Sequence, residues 1–297
     1  MALLIRPLTS SDFEAAESIL NSAFSRPTNR RLVLEWVVKI SPNSCFLALL
    51  EGMPVGMVAA ICFQRMAWVG LMAVDPKWQS RGFGKAIMTH VLAHLEGQGT
   101  NSILLDASAA GRPLYKSMGF VEADESRMFE RNLEQNPFTV EEKNSVTGGS
   151  ILSPEEISIR IIAENDLQKL SGFDAFAYGT NREGLLKLLY NEFSSRCLLA
   201  KDVNGEIIGY VCAQKNRIGP WIATQEMVAE RLLQSALLLP FEQPVQIIAP
   251  EKNTCGKDVL LRNGFIFSYA NRHMWKGEMI PQEKRQFIYG QGNFAYG

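Results

Sequence analysis

"VDPKWQSRGFGKAIM", Val74 to Met88, sets Arg81, Gly82, Gly84 and Lys85 between an apolar run and a long amphipathic one. The preceding "AWVGLMAV" is almost unbroken apolar sequence, as a strand buried on both faces reads. The following residues repeat apolar positions at helical spacing. A strand, a glycine-rich loop and a helix start form the arrangement in which backbone N–H groups converge on an anion. The positive end of the helix dipole adds to them. Gly82 and Gly84 lack a Cβ, so a phosphate can approach closely. Taken alone, the pattern also reads as a surface turn before a helix, so its surroundings decide.

On either side, strand and helix signals alternate. "LLIRP" is a short strand, and Ser11 with Glu14 predicts a capping box for the helix that follows. "RRLVLEWVVKI" predicts a second helix, and "SCFLALLEGMPVGMVAAICF" a hairpin turning at Glu51 to Pro54. After the glycine loop come a helix from about Gly84 to Glu96, the strand "SILLDAS", the helix "GRPLYKSM" and a strand ending near Phe129. This alternation predicts an α/β fold with a mixed sheet.

The chain then repeats itself. "LIRPLTSSDFEAAESIL" returns as "SIRIIAENDLQKLSGF" and "EGMPVGMVAA" as "NGEIIGYVCA", with nearly equal spacing from Arg6 to Gly56 and from Arg160 to Gly209. Between the copies, "NLEQNPFTVEEKNSVTGGSILSPEE" is polar and carries Gly148 and Gly149, which reads as a linker. The expected division is a first domain over 1–132, a linker over 133–154 and a second domain over 155–297. The glycine-spaced ending "RQFIYGQGNFAYG" holds four aromatics and is expected to dock rather than stay exposed.

The chain has 297 residues, 46% hydrophobic and 21% charged, and a formal net charge of −1. That length suits two domains. The charge gives no global attraction for nucleic acid or an anionic membrane, so neither is an expected partner and any anion site must be local. No apolar run approaches the roughly 18 residues of a membrane span. The opening residues do not read as a signal peptide. Five scattered cysteines without a C-x-x-C pair, four of them in strand-like runs, fit buried thiols in a reducing cytoplasm. No metal is expected: His90 and His94 share helical spacing without an evident third ligand. Composition leaves oligomerisation open.

The loop resembles the Q/R-x-x-G-x-G/A signature of the GNAT superfamily of acyl-coenzyme A-dependent N-acyltransferases, with Gln79, Gly82 and Gly84 at its defining positions. Downstream, "LLDASAAGRPLYKSMGF" resembles the last strand and helix of that superfamily, with Leu114, Tyr115, Gly119 and Phe120 in place. Together the two signatures span nearly all of residues 3 to 132. A dinucleotide-binding reading fails on the order of elements, and a Walker loop is absent. The resemblance implies two tandem domains, each a mixed, mostly antiparallel twisted sheet flanked by helices, the second a degenerate copy as in a tandem-GNAT group of bacterial proteins.

It also implies acetyl-CoA as acyl donor and a small-molecule amine as acceptor. By position, Met72, Ala73 and Val74 line the pantetheine, and Gln79, Ser80, Arg81, Gly82, Phe83, Gly84 and Lys85 the pyrophosphate. Ser108 and Gly111, where many relatives carry asparagine and alanine, join the donor site. Tyr115 matches the tyrosine that protonates the departing thiolate. The base is open between Asp75, Asp106 and water. Arg26, Thr28, Asn29, Arg30 and Arg31 either favour a carboxylate-bearing acceptor or form a solvated basic face. The second copy lacks about six loop residues and carries Leu260 where the first has Tyr115. Its Tyr178, Asn181, Arg182, Trp221 and Trp275 either contribute to the acceptor pocket or pack their own core. The rival reading of the whole chain is a non-catalytic coenzyme A-binding regulatory or ligand-sensing module.

Overall fold

Apolar runs become strands and amphipathic runs helices, in the predicted order. The computed structural model describes residues 3–24, 30–134, 156–278 and 282–297. The first repeat forms β1 (Leu3–Pro7), α1 (Phe13–Phe24), α2 (Arg31–Ile40), β2 (Cys45–Leu50), β3 (Met53–Phe63) and β4 (Met66–Val74). It continues through α3 (Phe83–Gly97), β5 (Ser102–Ala107), α4 (Arg112–Ser117) and β6 (Val121–Arg131). The second repeat forms β7 (Ser158–Ile161), α5 (Leu167–Tyr178), α6 (Glu183–Phe193), β8 (Cys197–Lys201), β9 (Ile207–Ala213) and β10 (Ile218–Ala223). It ends with α7 (Glu226–Leu237), β11 (Val245–Pro250), α8 (Thr254–Arg262), β12 (Ile266–Gly277) and the short β13 (Ile288–Gly290). Among the described residues no helix is long and apolar enough to cross a membrane.

Each repeat opens with the same clasp. The Arg6 guanidinium donates two hydrogen bonds of 2.7 Å to Asp12, which also accepts from the Thr9 amide at 2.9 Å. Arg160 and Ala163 hold Asp166 with the same partners and distances. The capping box is therefore Thr9 with Asp12, not Ser11 with Glu14. Strand β1 fixes Arg6, and only Asp12 can answer both that guanidinium and an orphan amide of the entering turn.

The compact units do not follow the linear cut at residue 132. One unit holds residues 1–122 together with His273–Ile280 and Phe294–Tyr296, and the other holds 123–272, 281–293 and Gly297. Most of β6 thus belongs to unit 2 and the last residues of β12 to unit 1, an exchange between the repeats. In unit 1 the strand order is β1-β2-β3-β4-β5-β12, with β12 represented by its last residues. In unit 2, β6 lies antiparallel to β11 from Ser126–Pro250 to Arg131–Val245, beside a five-stranded sheet ordered β13-β10-β9-β8-β7. Alternation alone marks β6 and β12 as strands but carries no information on which neighbour completes their ladders.

Unit 1 is a mixed sheet: β1 to β4 pair antiparallel and β4 pairs parallel with β5. One face, through Val69, Val74, Ile103 and Leu105, packs on Ile87 and Val91 of α3. The other carries α1 and α2. In unit 2, Trp221, Ile247 and Phe129 pack with Val228, Leu232 and Leu260 of α7 and α8.

Candidate active site

Three features of unit 1 meet at the end of β4. The first is the loop itself. Gln79 turns back to donate from Nε2 to the Val74 carbonyl at 2.9 Å, closing the loop onto the strand it leaves. Asp75 accepts from the Lys77 amide at 2.9 Å and so caps the turn. Gly82 takes the left-handed conformation, φ +84°, as the N-cap of α3, with nothing near the position of its missing Cβ. Ser80 precedes it at φ +61°. The first helical hydrogen bond runs from the Ala86 amide to the Gly82 carbonyl at 3.0 Å. The amides of Phe83, Gly84 and Lys85 therefore stand outside the helical ladder, at the positive end of α3. Arg81 and Lys85 are exposed beside them, and Arg81 rests over the Trp78 ring at 4.9 Å.

The second feature is β4, which is bulged and open along one edge. Ala59 pairs with Gly70 and Met57 with Ala73, so Leu71 and Met72 together face Val58. Leu71 takes φ +49°, a left-handed conformation that costs a non-glycine residue about 1–2 kcal/mol. Backbone strain of this kind gathers at functional sites. Pairing with β5 covers only Met66–Trp68, although β4 continues to Val74. Met72 packs toward Gly84, while Ala73 and Val74 are buried.

The third feature is the turn that carries Tyr115. The Gly111 amide donates to Ser108 Oγ at 3.2 Å and to the Ser108 carbonyl at 3.1 Å, shaping the entry to α4. A Cβ on Gly111 would stand 2.9 Å from Tyr115 Cε2, so this glycine makes room for the ring. Ser108 and Gly111 thus build the turn that positions Tyr115. The phenol is 8% exposed, packs edge-on against Phe120, and burial pushes its pKa up to about 12. On the surface of α4, hydrogen bonds from Arg112 and then Lys116 hold the Glu122 carboxyl down to about 2.

The opposite face of the same sheet holds groups that linear reading did not assemble. Asp106 accepts or shares a 2.9 Å hydrogen bond with His273 Nδ1 of β12, and both side chains are buried. The His273 ring lies 5.3 Å from that of Trp68. Trp68 Nε1 donates to the Phe294 carbonyl at 3.0 Å, and the Tyr296 ring lies 6.2 Å from that of Trp36 on α2. The aromatic ending signalled docking, but nothing in its spacing named these partners.

Other candidates have local roles. His90 and His94 both meet the Phe46 ring edge-on, and His94 lies 3.4 Å from Ser44 Oγ. Arg31 donates to Glu35 at 2.7 Å and lies over Phe13, while the Arg30 amide donates to Glu17 at 2.6 Å. Arg26, Thr28 and Asn29 lie outside the described residues.

In unit 2, Asn181 caps locally, accepting from the Glu183 amide at 2.8 Å. Arg182 is fully buried, paired to Asp174 at 2.7 and 2.9 Å and stacked on Tyr178. Trp221 is wholly buried against Tyr289, so Tyr178, Arg182 and Trp221 pack their own unit. Trp275 belongs to unit 1 on β12. Only Thr224 and Gln225 separate β10 from α7, where Asp75–Gly82 separate β4 from α3, and Leu260 is a core residue.

Residues 41–122 match a family model described as an acetyltransferase (GNAT) domain, and residues 171–290 match a second model with the same description. The chain is 27% identical over 220 residues to the uncharacterized N-acetyltransferase YitH of Bacillus subtilis (strain 168), covering 73% of this chain and 72% of that one. Over 55 residues, 18% of this chain and 37% of the other, it is 40% identical to [ribosomal protein bS18]-alanine N-acetyltransferase of Escherichia coli (strain K12). A solved structure from Pyrococcus horikoshii, provisionally assigned as an acetyltransferase, superposes with a TM-score of 0.81 at 26% identity, covering 99% of this chain and 96% of that one.

Proposed function

Because the chain belongs to the GNAT family of acetyltransferases, with a domain of that family matched in each half, we propose that unit 1 transfers an acetyl group from acetyl-CoA to the primary amine of a small molecule by direct attack. The observation that carries this reading is a left-handed glycine cap at the start of α3 placed beside a bulged strand with an open edge. The residues fit the donor. The amides of Phe83, Gly84 and Lys85, with the charges of Arg81 and Lys85, would hold its pyrophosphate. Gln79 and Ser80 shape that loop, and the backbone from Met72 to Val74 would pair with the extended pantetheine arm as an added strand.

When bound, acetyl-CoA supplies an activated thioester carbonyl. A backbone N–H at the bulge of β4 would stabilise the charge that develops on the carbonyl oxygen as the amine nitrogen bonds to carbon. The carbon–sulfur bond would break with its electron pair going to sulfur, while the attacking nitrogen would release its surplus proton to solvent water. Tyr115 donates to that sulfur. With its pKa near 12 the phenol stays protonated at any working pH. The same burial disfavours complete proton transfer to a thiolate, whose thiol has an ordinary pKa of about 8.5. Hydrogen-bond donation by the intact phenol as charge builds on sulfur is the role this environment supports, with the released thiolate taking its proton from solvent.

Substitution Tyr115→Phe tests the reading. It is expected to lower kcat by about a hundredfold while leaving acetyl-CoA affinity nearly unchanged, with one donor bound per chain in titration calorimetry. A fully active variant would remove the role of Tyr115 as donor to the leaving sulfur. A chain that binds coenzyme A but releases no thiol with any amine would be the regulatory module instead.

A further inference from the structure

The acceptor must reach the thioester from the side of β4 that the donor leaves open, and a segment of this chain already lies there. Val69 faces α3, so Trp68 and Gly70 face the opposite side of the sheet, where α1 and α2 pack. On that side a Cβ added to Gly70 would lie 2.5 Å from Ala295 Cα and 2.7 Å from the Ala295 carbonyl oxygen. The glycine is what lets the turn Phe294–Tyr296, closed by the Gly297 amide donating to the Asn293 carbonyl at 2.9 Å, rest on β4, one residue before the bulge at Leu71. That turn is held at both ends: Trp68 Nε1 donates to the Phe294 carbonyl at 3.0 Å, and Tyr296, wholly buried, packs against Trp36.

We infer that Phe294–Ala295–Tyr296 is the specificity-determining wall of the acceptor site, restricting it to small, compact primary amines and excluding peptide N-termini and bulky aromatic amines. This rests on the acetyl-transfer reading above. An extended peptide acceptor needs the face of β4 beside the bulge, and a turn of the chain's own covers it at Gly70. A compact amine needs only the space next to the thioester.

The test is a competition between acceptors in the full chain. Thiol release from acetyl-CoA is followed with ethylamine, with tryptamine and with a short alanine-initiated peptide, and acetyl-CoA binding is measured separately by calorimetry. Two variants are compared with the parent: Trp68→Phe, which removes the indole donor to Phe294 while keeping an aromatic ring, and the combined Phe294→Gly, Ala295→Gly, Tyr296→Gly. The expected result is that kcat/KM for tryptamine and the peptide, relative to ethylamine, rises about tenfold in the triple variant and by a smaller factor in Trp68→Phe, with donor binding retained. Unchanged ratios in Trp68→Phe with turnover and donor binding intact would overturn the wall, whether or not the triple variant folds. So would a parent chain that already prefers the peptide. A parent that binds acetyl-CoA yet acetylates none of the amines would overturn the transfer reading itself, and the wall with it.

Discussion

Two glycines near the reaction centre are needed for different reasons, and alanine at each separates donor binding from chemistry. Gly82 has open space around its missing Cβ but sits at φ +84°, so Gly82→Ala strains the backbone by about 1–2 kcal/mol. The loop relaxes and the amides of Phe83–Lys85 turn from their common point. The expected outcome is a KM for acetyl-CoA raised by about tenfold, as that energy implies, with a smaller change in kcat. Gly111 has an ordinary φ of −81°, but its alanine would press on Tyr115 Cε2. Gly111→Ala should therefore lower kcat and leave calorimetric donor affinity nearly unchanged. Identical kinetic signatures for the two variants would contradict these assignments. The sequence pointed to both glycines as donor contacts, yet it could not distinguish them: the torsion of one and the ring beside the other exist only once β4, α3 and α4 are assembled.

At the scale of elements, the Arg–Asp clasp that starts each repeat ties a strand end to the turn of a helix by the same set of hydrogen bonds. Hydrogen bonds from Arg160 lead the forces holding the Asp166 carboxyl down to about 2, and Asp12 is depressed in the same way by Arg6. Their folded pKa values lie below the ordinary value of about 3.9, so each clasp stabilises the fold fully above that pH and loses its contribution as pH falls toward 2. Chemical denaturation at pH 6 and pH 2.5, followed by circular dichroism, should show a fall in stability that Asp166→Asn partly abolishes. At pH 6 the variant itself should be less stable by about 1 kcal/mol, since Arg160 is partly exposed. A variant with the parent's full acid sensitivity would show that the clasp carries none of it. The clasp was visible as Arg6 and Arg160 in matching positions, but its acidic partner was not, because helix-entry signals at Ser11 and Glu14 compete with it in the linear pattern.

At the scale of the whole molecule, the repeat, the order of elements and the loop missing from the second copy could all be read from the chain, because each rests on local periodicity and spacing. The exchange of terminal strands could not, since β6 and β12 carry the same alternation whichever unit they complete. Unit 1 depends on that exchange in specific ways. His273 meets Asp106, the Ser102 hydroxyl donates to the Glu278 carbonyl at 2.5 Å, and Met274 lies in the core against α3. The wall residues over Gly70 likewise come from beyond position 290. A fragment of residues 1–132 would keep the whole donor loop, Tyr115 and the open edge of β4. It would lack the strand beside β5, leaving a buried carboxylate without its imidazole and a long apolar strand edge unpaired. Such a fragment is expected to aggregate or to unfold without cooperativity, and to bind acetyl-CoA at least tenfold more weakly than the full chain, about 1.4 kcal/mol. Adding the complementary fragment 155–297 should restore binding, because that piece carries β12 and the wall. A fragment of residues 1–132 that melts cooperatively and binds acetyl-CoA as tightly as the intact protein would show that the first repeat is complete without the strand it receives.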